Sequence, residues 1–212
     1  MIRELIHAMD FSVYNKQYFE GGGDSNYSSY KQCEPILLEL GRILVQLTPG
    51  SKSYLDVGCA YGFTIGYLTN AGFDAMGVDP SPYAIEYART QSWSDKIVED
   101  SLPKLEKVDR TFDTVFSSAV IEHVPEEEIS DSLIRMFELT KKHLIITTII
   151  GLPGHEDHDK THVSVKPASW WTKTIWFVGM AAYRDLELEE RFNAIPYCKQ
   201  MGWSNHVMAF TK

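Results

Sequence analysis

Four of the seven histidines of this 212-residue chain fall in two short segments. Glu122-His123 closes one apolar run, and Gly154-His155-Glu156-Asp157-His158-Asp159-Lys160-Thr161-His162 follows the next. Imidazole titrates near neutral pH, so a histidine beside an acceptor hydroxyl or amine is suited to take its proton. His123 is the first candidate base, His162 the second and His158 the third. Glu122, these histidines and Asp157 or Asp159 also have the donor types of a divalent-cation site. A second pattern lies upstream. Asp56-Val57-Gly58-Cys59-Ala60-Tyr61-Gly62 ends a short apolar run, and Asp79 closes the next one. Glycines in a tight turn let backbone N–H groups approach a ligand at a helix N-terminus, and an acid about 20 residues on accepts hydrogen bonds from ribose hydroxyls. The acid inside the loop, Asp56, repels phosphate and suits a cationic or zwitterionic ligand. The chain has no GK[ST] triplet after the glycines, which argues against a P-loop, and its glycine spacing is not the G-x-G-x-x-G of a dinucleotide site. Cys59 reads as a small buried filler rather than a nucleophile.

These residues need a scaffold, and the hydrophobic pattern supplies one. Ile36, Leu37, Leu40, Ile43, Leu44 and Leu47 recur at helical spacing over 33–48, and Pro49-Gly50 stops them. The chain then alternates: strand 53–58, helix 62–71, strand 74–79, helix 82–91, strands 96–99 and 112–118, helix 126–139, and a β-branched strand over 144–150. Segments 185–192 and 203–211 alternate as strands do and predict an antiparallel C-terminal edge. The sum is an α/β, doubly wound sheet of seven strands, mostly parallel, with helices on both faces. Ligands of such sheets bind at the carboxyl ends of the strands, where both chemical patterns fall. The whole of 1–212 reads as one domain. Residues 1–10 predict a short helix, and 1–34 form an N-terminal arm. Its Tyr18, Phe19, Tyr27 and Tyr30 read either as surface or as a lid hinged at Gly21-Gly22-Gly23. Residues 151–183 read as a substrate-side insertion. Its Trp170, Trp171, Trp176 and Phe177 either fill core or line a site for an acceptor with an apolar or ring-shaped face.

Asp56, Gly58 and Gly62 resemble the first motif, D/E-x-G-x-G-x-G, of the class I S-adenosylmethionine-dependent methyltransferases. Ala60 replaces the usual middle glycine, a departure that adds one methyl group beside the cofactor. Gly77-Val78-Asp79-Pro80-Ser81 resembles the family's second strand with its ribose-binding acid. Val98-Glu99-Asp100-Ser101-Leu102-Pro103 resembles the third strand end, whose Asp usually meets the adenine amino group. Phe112 to Val124 resembles the fourth strand and its turn. The four motifs stand in the family's order, and the resemblance covers roughly 35–150. It implies a Rossmann-like fold, S-adenosylmethionine as cofactor and S-adenosylhomocysteine as product. The implied cofactor-binding residues are Asp56, Gly58, Ala60, Tyr61, Gly62, Asp79, Pro80, Asp100, Ser101, Leu102 and Ser118. It further implies methyl transfer to a hydroxyl of a small molecule, sugar-like or aromatic. The alternatives are N-methylation of a small amine, a metal-dependent O-methylation, and a non-catalytic binding module on the same fold. For the metal, some relatives use E-x-x-E-H after the fourth strand. Glu122-His123 match its end, but Ala119 occupies the first Glu position and cannot ligate, so a metal is not favoured. Asp159-Lys160-Thr161-His162 resembles a D-x-T-H segment of some small-molecule methyltransferases. A nicotinamide-dependent oxidoreductase is disfavoured by Asp56 and by the glycine spacing.

Composition narrows the partners. The net charge of −9, with no basic stripe, argues against a nucleic-acid backbone as partner. Three scattered cysteines without a CxxC pair predict reduced thiols and a cytoplasmic setting. The opening MIRELIHAMD lacks the apolar stretch of a signal peptide. The most apolar late segment, Trp170 to Tyr183, contains Lys173 and is too short to span a membrane. A small-molecule acceptor is the partner expected, and the oligomeric state stays open.

Overall fold

The computed structural model describes residues 10–21, 25, 27–151, 159–203 and 205–212. The helix expected over 1–10, most of the glycine hinge, and His155 and His158 lie outside the described residues.

Six strands form one sheet: β1 (Ser53–Val57), β2 (Asp74–Asp79), β3 (Ile97–Glu99), β4 (Phe112–Ser118), β5 (Thr140–Thr147) and β6 (Val207–Thr211), in the order β3-β2-β1-β4-β5-β6. All neighbours are parallel except β5 and β6. The period of two along each strand sends side chains alternately to opposite faces, and both faces are buried. Leu55, Val115, Leu144, Ile146 and Phe210 pack on one side, against Ile129, Leu133 and Met136 of α5 (Glu126–Glu138) and Trp171 and Ile175 of α6 (Ala168–Phe177). Tyr54, Phe116, Ile145 and Ala209 pack on the other, against α2 (Glu34–Leu47) and α3 (Phe63–Asn70). A fully buried Leu or Ile on either face contributes about 1.5–3 kcal/mol relative to exposure.

The strand expected over 185–192 is instead helix α7 (Leu186–Ala194), so the sheet has six strands rather than seven. The alternation in Leu186-Glu187-Leu188-Glu189 fits a strand, yet the buried residues are Leu188, Glu189 and Phe192, the spacing of a helix face. Asp185 starts the helix by accepting the Leu188 N–H at 2.9 Å. The other expected tail strand forms as β6, antiparallel to β5. Trp171 is core, whereas Trp176 and Phe177 are about three-quarters exposed.

At the carboxyl ends of β1 and β2, helix starts are set by local chemistry. Gly62, in the left-handed region, precedes α3. Ser81 caps α4 (Pro82–Ala88), accepting the Ala84 N–H at 3.1 Å, with Pro82 at the first helical position. The cap is therefore Ser81, and the Asp79 carboxylate is available for other contacts.

Candidate active site

A cavity opens at the carboxyl ends of the strands, with about 750 Å3 of empty space when the open solvent at its mouth is included. One side is built by the turns after β1, β2 and β3. Val78 O accepts N–H bonds from Gly58 (2.8 Å) and Cys59 (3.0 Å), which folds the turn sharply. Gly58 has φ +83°, and a Cβ there would lie 2.2 Å from Cγ2 of Val120 on the facing turn. Ala60 also sits in the left-handed region, at φ 47°. That conformation costs an alanine roughly 1–2 kcal/mol. It aims the Ala60 N–H at Asp79 Oδ2, 2.8 Å away, while Ser81 N–H donates to Oδ1 at 2.9 Å. Burial raises the Asp79 pKa to about 6, against the pull of these two donors. Asp56 is buried nearby on β1. Burial, with the Asp79 charge second, holds its carboxyl well above the usual range, and no described residue donates a hydrogen bond to it. A buried acid of this kind is suited to a cation brought by a ligand.

Asp100 lines the cavity after β3 and accepts the Ser101 N–H (2.8 Å) and the Lys107 N–H (2.7 Å). Glu99, its neighbour, is exposed. Ser118, at the end of β4, shares a hydrogen bond of 2.8 Å with Thr147 of β5.

The other side begins with Ala119, again left-handed at φ 54°, and a 3-10 turn over Ile121–His123. Glu122 is fully buried. Its Oε2 accepts the Thr148 hydroxyl at 3.0 Å, its backbone carbonyl accepts the Ser164 N–H at 2.9 Å, and Oε1 has no hydrogen-bond partner among the described residues. Burial raises the Glu122 pKa, and the positive form of His162 opposes that shift. His123 lines the cavity, with the His162 ring edge-on at 4.5 Å between centroids. His162 Nε2 lies 3.8 Å from Asp159 Oδ2. Thr161 and Asp159 complete this cluster. Among the described residues, no three His, Cys, Asp or Glu side chains are gathered as a metal site requires.

The arm contributes to the lining. Phe11, Tyr14, Tyr18, Tyr27 and Tyr30 line the cavity, and the Tyr14 ring stands edge-on to His123 at 5.6 Å. Two contacts tie the arm to the opposite turns: Ser81 Oγ donates to Tyr14 O at 2.6 Å, and the Tyr61 hydroxyl donates to Glu20 at 3.0 Å. Burial pushes the Tyr14 and Tyr18 phenols upward, so both are neutral near pH 7.

Of the residues picked from the sequence, Gly58, Ala60, Asp79, Pro80, Asp100, Ser101, Leu102, Ser118 and His123 line one cavity. Asp56, Tyr61 and Gly62 are not among its lining residues. Tyr61 is buried and stacked on Tyr87 at 4.0 Å, and Gly62 packs under Ile97 and Trp93. His162 reaches the site through His123, and His158 lies outside the described residues. Trp170, Trp171, Trp176 and Phe177 are absent from the described lining. Tyr14 and Thr161 went unpicked. The i, i+4 spacing of Tyr14 and Tyr18 was a signal for the first, and the hydroxyl inside Asp159-Lys160-Thr161-His162 for the second.

Residues 55–145 match the family described as a methyltransferase domain. An uncharacterized methyltransferase of Mycobacterium sp. (strain KMS) is 31% identical over 91 residues, 43% of this chain and 36% of that protein. The mitochondrial ubiquinone biosynthesis O-methyltransferase of Schizosaccharomyces pombe is 31% identical over 106 residues, 46% of this chain and 38% of that protein. The chain thus spans little more than a third of the curated relatives it matches. The plantazolicin methyltransferase BpumL, solved in complex with SAH, shares the fold with a TM-score of 0.60 at 14% identity, covering 86% of this chain and 85% of that one. The matched span contains all four motif segments. Residues 55–145 thus carry the likeness to a methyltransferase domain, set in a fold that the solved methyltransferase BpumL shares.

Proposed function

We propose that this chain binds S-adenosylmethionine and moves its methyl group to a hydroxyl of a small, sugar-like or aromatic molecule. The carrying observation is that one cavity joins the Asp79 carboxylate and the Gly58–Ala60 turn to His123. The site fits the cofactor's chemistry: Asp79 lines the cavity and suits the ribose hydroxyls, and Asp56, buried on β1 outside the lining, adds negative charge behind it for a cationic group. When bound, S-adenosylmethionine supplies an electrophilic methyl group with its own leaving group. The chain's part is to orient the acceptor and remove its proton. His123 is our candidate base, with His162 behind it. Asp100, Ser101, Leu102, Pro80 and Ser118 shape the cofactor side, with Asp56, Tyr61 and Gly62 supporting it. We read residues 1–34 as a lid, 151–183 as the acceptor-side flank, and 1–212 as one domain. Among the described residues no helix is long and apolar enough to cross a membrane. With three unpaired cysteines, we assign a cytoplasmic setting.

The test is calorimetric titration of S-adenosylhomocysteine, followed by methyl-transfer assays over separate panels of hydroxylated and amine acceptors. Micromolar binding with turnover of a hydroxylated acceptor supports the reading. Turnover confined to the amine panel replaces it with N-methylation, and binding without any turnover replaces it with a binding module.

A further inference from the structure

The acceptor side holds a chain of hydrogen bonds that binding alone does not call for. One oxygen of Asp159 accepts both the Thr161 N–H, at 2.9 Å, and the Thr161 hydroxyl, at 2.5 Å. That hydroxyl has a single proton, and the carboxylate takes it. The hydroxyl oxygen is then an acceptor toward its remaining neighbours. His123 Nδ1 lies 3.0 Å from it. The Thr161 carbonyl, which can only accept, lies 3.2 Å from the same nitrogen. Two acceptors on one ring nitrogen require the hydrogen to be on that nitrogen.

We propose that Asp159 and Thr161 are positioning residues that hold His123 as the Nδ1–H tautomer, so that Nε2 carries the lone pair. This deepens, and rests on, the reading of His123 as the base, because only the lone-pair nitrogen can take a proton. A neutral imidazole in water populates both tautomers, and the hydrogen bond made by one nitrogen decides the state of the other. Four described groups beside the ring leave the Nδ1 contacts to Thr161. Tyr14 and Tyr18 present ring edges, at 5.6 and 6.4 Å, and are held neutral by burial. His162 packs edge-on and shares Asp159 through its second oxygen. Glu122, next in the chain, spends its carboxylate on Thr148. Asp159 is itself buried, its side chain 3% exposed, so its charge is directed into the cluster rather than screened by water. The Tyr18 side chain also reaches Thr161, so the arm closes on the same hydroxyl.

The test needs no acceptor. Long-range proton–nitrogen correlation spectra of the 15N-labelled full chain report the tautomer of each histidine, with His123 assigned by loss of its signals in His123→Gln. The expected result is Nδ1–H in the wild type, a measurable share of Nε2–H in Thr161→Val, where only the backbone carbonyl at 161 still holds Nδ1, and return to Nδ1–H in Thr161→Ser. Calorimetry with S-adenosylhomocysteine on Thr161→Val should give affinity within about twofold of wild type, showing an intact fold while the tautomer moves. Nε2–H in the wild type overturns the proposal, as does an unchanged tautomer in Thr161→Val or, should that variant not fold, in Thr161→Ala. Failure of the wild type to bind S-adenosylhomocysteine would instead strike the methyltransferase reading and leave the tautomer result standing.

Discussion

On the side of the cavity we propose for the cofactor, Gly58, Ala60, Asp79 and Asp100 come from three strand ends that pair in parallel with one another. On the side we propose for the acceptor, Tyr14, His123 and Thr161 come from an arm, a turn and a loop that meet only in the folded chain. The first side acts largely through backbone geometry: sharp turns, left-handed residues and N–H groups fixed by the sheet. The second acts through side chains whose positions depend on three-dimensional packing. A short span suffices to specify the first, which is why its motifs stand out. The second needs the whole molecule.

Four experiments can break or sharpen that contrast. His123→Ala should lower turnover by about 10²–10⁴-fold, the usual contribution of a positioned base, with affinity for S-adenosylhomocysteine nearly unchanged. Comparable activity in the mutant would move the base to His162 and shift the chemistry away from the β4 turn. Gly58→Ala tests where the two sides touch. The left-handed backbone and the clash with Val120 together should cost about 2–4 kcal/mol in urea unfolding. Adding Val120→Ala should restore the overpacking part and leave the backbone part of about 1–2 kcal/mol. No recovery in the double variant would deny that the turns are coupled through this contact.

Asp79→Ala should weaken cofactor binding by about 1–3 kcal/mol, the worth of hydrogen bonds to a charged acceptor. Unchanged affinity would sink the ribose assignment. The smallest effect is on pH. Burial raises the pKa of Asp79 to about 6 and that of Asp56 above the usual range. A ligand that needs both acids ionised must drive off any proton they hold. Affinity should therefore fall as pH drops below about 6, by at most tenfold per unit for each acid, and change little for Asp79 above it. Titrations near pH 6 in two buffers of different ionisation enthalpy should show proton release on binding, reduced in Asp56→Asn. Proton uptake would contradict the electrostatics of this side.

The contrast also explains what was legible in advance. Helix α2, strands β1, β2 and β4, and helix α5 could be drawn to within a residue or two from periodicity and breakers. Pro49-Gly50 stops a helix and Gly62 starts one for reasons of local backbone energy. Segment 185–192 misled because Leu186-Glu187-Leu188-Glu189 satisfies both periods, and the choice went to the helix that buries Leu188 and Phe192 and pairs Glu189 with Arg184. Trp176 and Phe177 suggested core or pocket and are neither, since α6 buries Trp171 and Ile175 and leaves these two exposed.

By itself, the sequence determined the alternation of strands and helices, the glycine turn and the acids at the ends of β1 and β2. Each depends on neighbours within a few residues or on the spacing of one strand-turn-helix unit. Only the tertiary structure decided that the arm's tyrosines face His123, that His162 backs it, and that Asp159 reaches it through Thr161. Those contacts span up to 109 residues of chain, from Tyr14 to His123, and no local preference encodes which side chains will meet after such a closure.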